Sequence, residues 1–165
     1  MKSTLILGYG NLDRQDDGAA WHIMRGVAEA IGRPLPLVPD EMPIPPDGPL
    51  PHFLFCLQLY PEFSELIGQY ERVIFLDAHT GAVANDLNIQ SIESAYQGSP
   101  LTHSMSPAAC LALTQTLYHK NPETLLLSVR GYEFKFTQQL SPGTTALVQE
   151  AVKKIVHWMK EEPQP

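Results

Sequence analysis

The chain has 165 residues, 44% hydrophobic and 18% charged, which suffices for one compact domain with a sizeable core and excludes two full domains or a disordered tail protein. Its 11 Lys and Arg against 18 Asp and Glu give a net charge of −7, the wrong balance for a protein that neutralises a phosphate backbone. No apolar run approaches the roughly 20 residues of a membrane span, and Met1-Lys2-Ser3 leads straight into a strand-like run rather than a signal peptide, so a soluble, cytoplasmic protein is expected.

Short apolar or β-branched runs alternate with longer helical stretches, the pattern of an α/β fold with a mostly parallel sheet. Thr4-Leu5-Ile6-Leu7 is predicted as a first, buried strand that ends at Gly8-Tyr9-Gly10-Asn11. A helix is predicted from Asp17 to Ile31 with an apolar stripe of Trp21, Met24, Ala28 and Ile31, stopped by Gly32 and Pro34. Leu35 to Val38 reads as a short edge strand, and the Pro-rich stretch Pro39 to Pro51 as a stiff exposed connection.

A second strand is expected over Phe53 to Leu57, then a short helix opened by Pro61-Glu62. Val73 to Leu76 is fully apolar, as in a central parallel strand, and Leu87 to Ile92 fits a further one. Ser106-Pro107 and Ser141-Pro142 each pair an N-cap hydroxyl with proline at the first helical position. The helix after the first pair should bury Cys110, Leu113 and Leu117, and the helix after the second should bury Leu147, Ala151, Ile155 and Trp158. Between them, Thr124 to Val129 is a strand, with a continuation past Gly131 to Phe136 left open. One domain over residues 1–160 and a frayed tail over 161–165 complete the reading.

The turn Gly8-Tyr9-Gly10-Asn11-Leu12-Asp13 resembles half of a dinucleotide fingerprint, but Asp13 stands where the third glycine belongs. Asp13, Asp16 and Asp17 put three carboxylates in five residues, which repels phosphate. As first-turn residues they also suit a helix N-terminus, with Asp16 or Asp17 as N-cap. Asp77 closes the apolar run Val73 to Leu76, a costly place for a carboxylate without a partner or a cation, and His79 shares its face if the strand continues. His103 precedes the Ser106-Pro107 helix start.

Because ligands in doubly wound sheets bind at the carboxyl ends of strands, Asp17, Asp77 and His103 are expected to meet in one cleft. Two carboxylates and an imidazole suit a borderline divalent ion such as nickel, zinc or cadmium, with open positions left for a substrate. A hydrolase triad built from Ser104 or Ser106 with His103 lacks the nucleophile-elbow motif, and Ser106 is better used as a cap. Cys56 and Cys110 sit in apolar runs as packing residues, without the spacing of a structural zinc site or the number for a disulfide framework.

In their order along the chain, Leu7-Gly8-Tyr9-Gly10-Asn11, Asp16-Asp17-Gly18, Ile74-Phe75-Leu76-Asp77-Ala78, Thr102-His103-Ser104-Met105-Ser106-Pro107 and Leu140-Ser141-Pro142 resemble the hydrogenase maturation endopeptidases, which process the large subunit of nickel–iron hydrogenases. Gln58-Leu59-Tyr60-Pro61-Glu62 and Val129-Arg130-Gly131-Tyr132-Glu133-Phe134 look most like the branch serving cytoplasmic, NAD-coupled hydrogenases, although Leu57 stands where that branch tends to have histidine. The first acidic ligand is Glu in some relatives and Asp17 here, and the Pro39 to Pro51 loop has no evident counterpart.

The resemblance implies a twisted, mostly parallel sheet with helices on both faces. It also implies an aspartic-type endopeptidase that acts as a monomer on a hydrogenase large-subunit precursor. Asp17, Asp77 and His103 would contact nickel supplied by that substrate, with cadmium or zinc as stand-ins, and the cut would remove a C-terminal extension. Asn11 would help to position the peptide. The metal as Lewis acid and a carboxylate-activated water both remain open as routes of hydrolysis. The alternative within the family is a non-catalytic, metal-sensing protein that binds the precursor without cutting it. A nucleotide-binding domain and a protease of similar architecture, like those that act on spore proteins, are the readings outside it.

Overall fold

The computed structural model describes residues 2–40, 46–93 and 105–161. Five strands form one sheet: β1 (Thr4–Tyr9), β2 (His52–Cys56), β3 (Arg72–His79), β4 (Leu87–Ser91) and β5 (Glu123–Arg130). Among the described residues four α-helices accompany them: α1 (Ala19–Ala30), α2 (Phe63–Ile67), α3 (Pro107–Tyr118) and α4 (Pro142–Lys160). The strand order is β2-β1-β3-β5-β4, with every neighbouring pair parallel except the antiparallel edge pair β4–β5. The expected single-domain, mostly parallel α/β architecture is therefore the one found. No helix of the described residues is long and apolar enough to cross a membrane.

Alternation along the strands builds two cores. Ile6, Ile74, Leu76, Leu127 and Val129 face α1 and α4, whereas Leu5, Leu7, Val73 and Phe75 face α2 and α3 with Cys110 and Leu111. Helices therefore cover both faces of the sheet. The parity of β1 and β3 matters for the site. Tyr9 follows Leu5 and Leu7, and Asp77 follows Val73 and Phe75, so both belong to the face covered by α3.

Several local expectations need correction. The helix predicted from Asp17 begins as a 3-10 turn over Gln15–Gly18 and becomes α-helical at Ala19, and neither Asp16 nor Asp17 caps it through its side chain. Trp21, Met24 and Ala28 are buried as expected, but Ile31 is the helix's C-cap and only half-buried. Leu35 to Val38 forms no strand. Pro34, Pro36 and Pro39 remove the amide donors a ladder needs, and Leu37 and Val38 are exposed. The segment is held instead by Trp21, whose indole N–H donates to the Leu37 carbonyl at 3.1 Å, while Arg33 binds the carbonyls of Pro49 and Pro51.

Both Ser-Pro devices start helices as predicted, with the Ser106 and Ser141 hydroxyls accepting the Ala109 and Thr144 amides. Their buried stripes are rotated from the predicted ones. In α3 it runs through Pro107, Cys110, Leu111 and Thr114, leaving Leu117 exposed, and in α4 through Thr144, Val148, Ala151 and Ile155, leaving Leu147 and Trp158 half-buried. Strand β5 stops at Arg130 rather than continuing to Phe136, because the amides of Tyr132 and Glu133 turn away to the Asp16 carboxylate. Strand β3, in contrast, runs three residues beyond the predicted Leu76 and carries Asp77 and His79 as ladder residues.

Candidate active site at the carboxyl edge of the sheet

Chain direction reverses around β1: the connection from β1 leads to β2 on one side, and the chain then crosses to β3 on the other. That switch point opens a crevice beyond the carboxyl ends of β1 and β3, where doubly wound sheets place their ligands. The residues standing there are Tyr9-Gly10-Asn11 from β1 and Asp77 from β3.

Gly10 makes the turn possible. It lies at φ +145°, and a Cβ there would collide with the Asp17 carbonyl oxygen, so only glycine lets the turn close against the following 3-10 turn. Its amide donates to the Cys56 carbonyl at 3.1 Å, which ties the turn to β2. The next amide, Asn11 N–H, donates to Asp17 Oδ2 at 2.9 Å, and the Asn11 side-chain oxygen accepts the Asp13 amide at 3.0 Å. Asn11 thus shapes the turn with its carbonyl oxygen, and its amide nitrogen makes no hydrogen bond among the described residues.

Asp77 is half-buried at the end of β3 and accepts the Ala78 amide at 2.7 Å and the Tyr9 hydroxyl. Burial first, helped by the neighbouring charge of Asp17, outweighs the pull of those two hydrogen bonds and pushes its carboxyl up to about 6. Tyr9 is its counterpart: burial first, then the adjacent carboxylate, hold the phenol firmly protonated and so a donor. No cation of the protein pairs with Asp17 or Asp77 among the described residues. The result is a carboxylate pair at the switch point, electrostatically coupled, with lone pairs to spare.

Asp16, one residue before Asp17, has a different environment. It is fully buried and accepts four hydrogen bonds, from the amides of Tyr132, Glu133 and Ser141 at 2.8, 2.9 and 2.8 Å and from the Ser141 hydroxyl at 2.6 Å. Burial alone would raise its carboxyl, but these donors overcome that and hold it below the ordinary value. Asp16 thereby joins the start of α1, the loop after β5 and the N-cap of α4. The run Asp16-Asp17 carries no sequence signal for which member turns inward. Donors more than 100 residues on, at Tyr132, Glu133 and Ser141, decide it.

His79 is committed to structure. Its Nδ1 lies 2.8 Å from the Ser128 hydroxyl and its Nε2 2.9 Å from the Asn85 carbonyl, so both ring nitrogens are engaged. Cys56 and Cys110 are buried free thiols, and burial pushes both up to about 12, in keeping with packing residues. Ser106 serves as a helix cap, as expected. His103 and Ser104 lie outside the described residues. Among the described residues no three His, Cys, Asp or Glu side chains gather as a metal site. Tyr9 is the participant that sequence reasoning missed. Its position two residues after Leu7 on an inward-facing strand parity was the available signal.

Fold and site together define a doubly wound α/β protein with a free carboxylate pair at its switch point. Solved structures with the same fold include [NiFe] hydrogenase maturation proteases. HycI from Thermococcus kodakarensis KOD1 is 16% identical over 97% of this chain and 94% of its own, with a TM-score of 0.65. HybD from the same species is 20% identical over 96% and 99%, at 0.62. The hydrogenase maturating endopeptidase HybD from E. coli is 16% identical over 96% and 92%, at 0.66. No protein-family model and no curated protein matches the sequence. The chain has the maturation-protease fold over nearly its whole length, as the sequence motifs implied.

Proposed function

We propose that this protein is a hydrogenase maturation endopeptidase that removes the C-terminal extension of a nickel-loaded hydrogenase large-subunit precursor. The observation that carries the reading is the Asp17–Asp77 pair. Two half-buried carboxylates, coupled to each other and without an ion-pair partner among the described residues, stand at the ligand edge of a fold shared with solved maturation proteases. Such a pair favours a cation that arrives from outside.

In this reading the nickel belongs to the substrate. Asp17 and Asp77 present carboxylate oxygens to it, and His103 contributes a neutral imidazole from the segment that leads into α3. That helix covers the face to which Asp77 belongs. Three protein donors are too few for a closed site, so affinity depends on ligands from the precursor, and docking reports that nickel is in place. Hydrolysis then adds water across the scissile amide: the water oxygen bonds to the carbonyl carbon, the C–N bond breaks, and the amine leaves with a proton. The nickel polarising the carbonyl and a carboxylate taking the proton from water are both compatible with this site. Tyr9, fixed as a donor to Asp77, orients that carboxyl for either role. Asn11 offers its free amide nitrogen to the peptide.

The test is mass spectrometry of a large-subunit precursor incubated with the protein, loaded with nickel or free of it, alongside Asp77→Asn and His103→Ala. Loss of one defined C-terminal peptide, dependent on nickel and on both residues, is the expected result. Equal cleavage without nickel would remove the metal-checking role. Binding without cleavage across several precursors would leave a precursor-binding protein.

A further inference from the structure

Beside the glycine turn, on its β2 side, lies a cleft of about 730 Å³ that the chemistry at Asp17 and Asp77 does not use. Its apolar lining includes Val38, from the segment that Trp21 holds in place, and a wall that contains Leu57, Tyr60 and Phe63. Three of these are exposed to a degree unusual for apolar side chains: Val38 by 59%, Leu57 by 62% and Tyr60 by 38%. Tyr60 and Phe63 pack edge to face with ring centroids 5.7 Å apart, so that wall is a preformed aromatic corner.

The charge around the cleft has one sign. Asp13, Asp40 and Glu62 line it, no Lys or Arg does, and none of the three carboxylates forms an ion pair among the described residues. Asp13 accepts only the Gln138 side-chain amide, at 2.8 Å. Gly10 lines the same cleft, so whatever fills it continues directly to the carboxylate pair. The cleft thus sets apolar side chains beside three carboxylates that form no ion pair among the described residues, at the threshold of the candidate active site.

We infer that this cleft seats an extended segment of the protein substrate that bears an apolar side chain next to lysine or arginine. The apolar side chain fills the corner made by Leu57, Tyr60 and Phe63, and the cationic side chain reaches Asp40 and Glu62. The inference rests on the endopeptidase reading for its occupant, and it adds the chemistry by which that occupant is chosen. An acidic segment would meet three like charges, so the cleft rejects as well as selects.

Fluorescence anisotropy with three labelled decapeptides tests it: one carrying a Leu-Arg pair in a Gly/Ser background, one with Leu-Glu and one with Ser-Arg. The Leu-Arg peptide should bind at least tenfold more tightly than either of the others, and more weakly as salt rises. The exposed double variant Asp40→Lys/Glu62→Lys should reverse the preference towards Leu-Glu, and Leu57→Ser should erase the advantage of the apolar side chain. Equal binding of the three peptides, or a preference that both variants leave intact, overturns the inference. A concentration-dependent dimer that Leu57→Ser dissociates also overturns it, since a second copy would then occupy the cleft. The precursor assay separates this inference from the activity itself. Cleavage with KM and kcat unchanged in the cleft variants removes the cleft's role and leaves the endopeptidase. Peptide selectivity without any cleavage leaves the cleft as a peptide site and removes the endopeptidase.

Discussion

Asp16 and Asp77 are two carboxylates at the same edge of the sheet with opposite fates. Asp16 is sealed from solvent and saturated by three amides and a hydroxyl, so its charge is stabilised and its carboxyl lies below the ordinary range. Asp77 is less buried yet poorly supplied with donors and stands near Asp17, so its carboxyl is pushed up to about 6. The supply of donors, not depth, separates a carboxylate that holds the fold from one free to act on a ligand.

Breaking the saturated carboxylate should cost most. Asp16→Asn keeps the shape but turns an NH₂ group towards donors that need an acceptor, and it unfastens α1, the loop after β5 and the α4 cap together. A loss on the order of 3–5 kcal/mol is expected in urea unfolding. A loss below about 1 kcal/mol would mean that the four donors find water instead. The same residue sets the acid limit. Its carboxyl is depressed in the folded state, so the stability it confers is present above the unfolded value near 4 and is lost as pH falls through the lower folded value.

Gly10→Ala comes next, because the added methyl meets the Asp17 carbonyl and φ is one that alanine strongly disfavours. About 2–4 kcal/mol is expected, with Asp17 displaced, so precursor cleavage should fall even at temperatures where the variant stays folded. Unchanged activity in a folded variant would show that the position of Asp17 is not critical.

Asp77→Asn should have the reverse sign on stability. A carboxyl raised in the folded state binds its proton there more readily than when unfolded, so the wild type should lose stability as pH rises from about 4 to about 6 and then level off. Asparagine cannot ionise and abolishes that slope. The variant should therefore be more stable than wild type at pH 7, on the order of 2 kcal/mol once partial solvent screening is allowed for, while cleavage drops a hundredfold or more. Parallel slopes for the two proteins in melts across that pH range would show that Asp77 is not the strained group.

How much of this was legible beforehand depends on the range of the interactions. The apolar or β-branched runs beginning at Thr4, Phe53, Val73, Leu87 and Thr124 and the two Ser-Pro starts are local signals, and they placed all five strands and both long C-terminal helices. Asp77 was legible because a carboxylate closing Val73 to Leu76 conflicts with its surroundings. The inward turn of Asp16 and the end of β5 at Arg130 were not. Each is set by a contact from a distant part of the chain, and neither periodicity nor composition carries it. The rotation of the α3 stripe towards Thr114 has the same origin, since its hydroxyl donates to the Ser64 carbonyl 50 residues away.

The smallest effect sharpens the boundary of the site. His79 lies two residues from Asp77 on the same strand, yet its ring is held between the Ser128 hydroxyl and the Asn85 carbonyl. Nε2 must donate to the carbonyl and Nδ1 is taken up by the Ser128 hydroxyl, which leaves no nitrogen for a metal or a proton relay. Ser128→Ala removes one of these bonds and should cost about 1 kcal/mol in unfolding experiments. Precursor cleavage should stay within twofold of wild type. Were cleavage instead to fall by orders of magnitude with stability intact, the Ser128–His79 pair would belong to the chemistry. The division between saturated and available groups would then have to be drawn on the other side of His79.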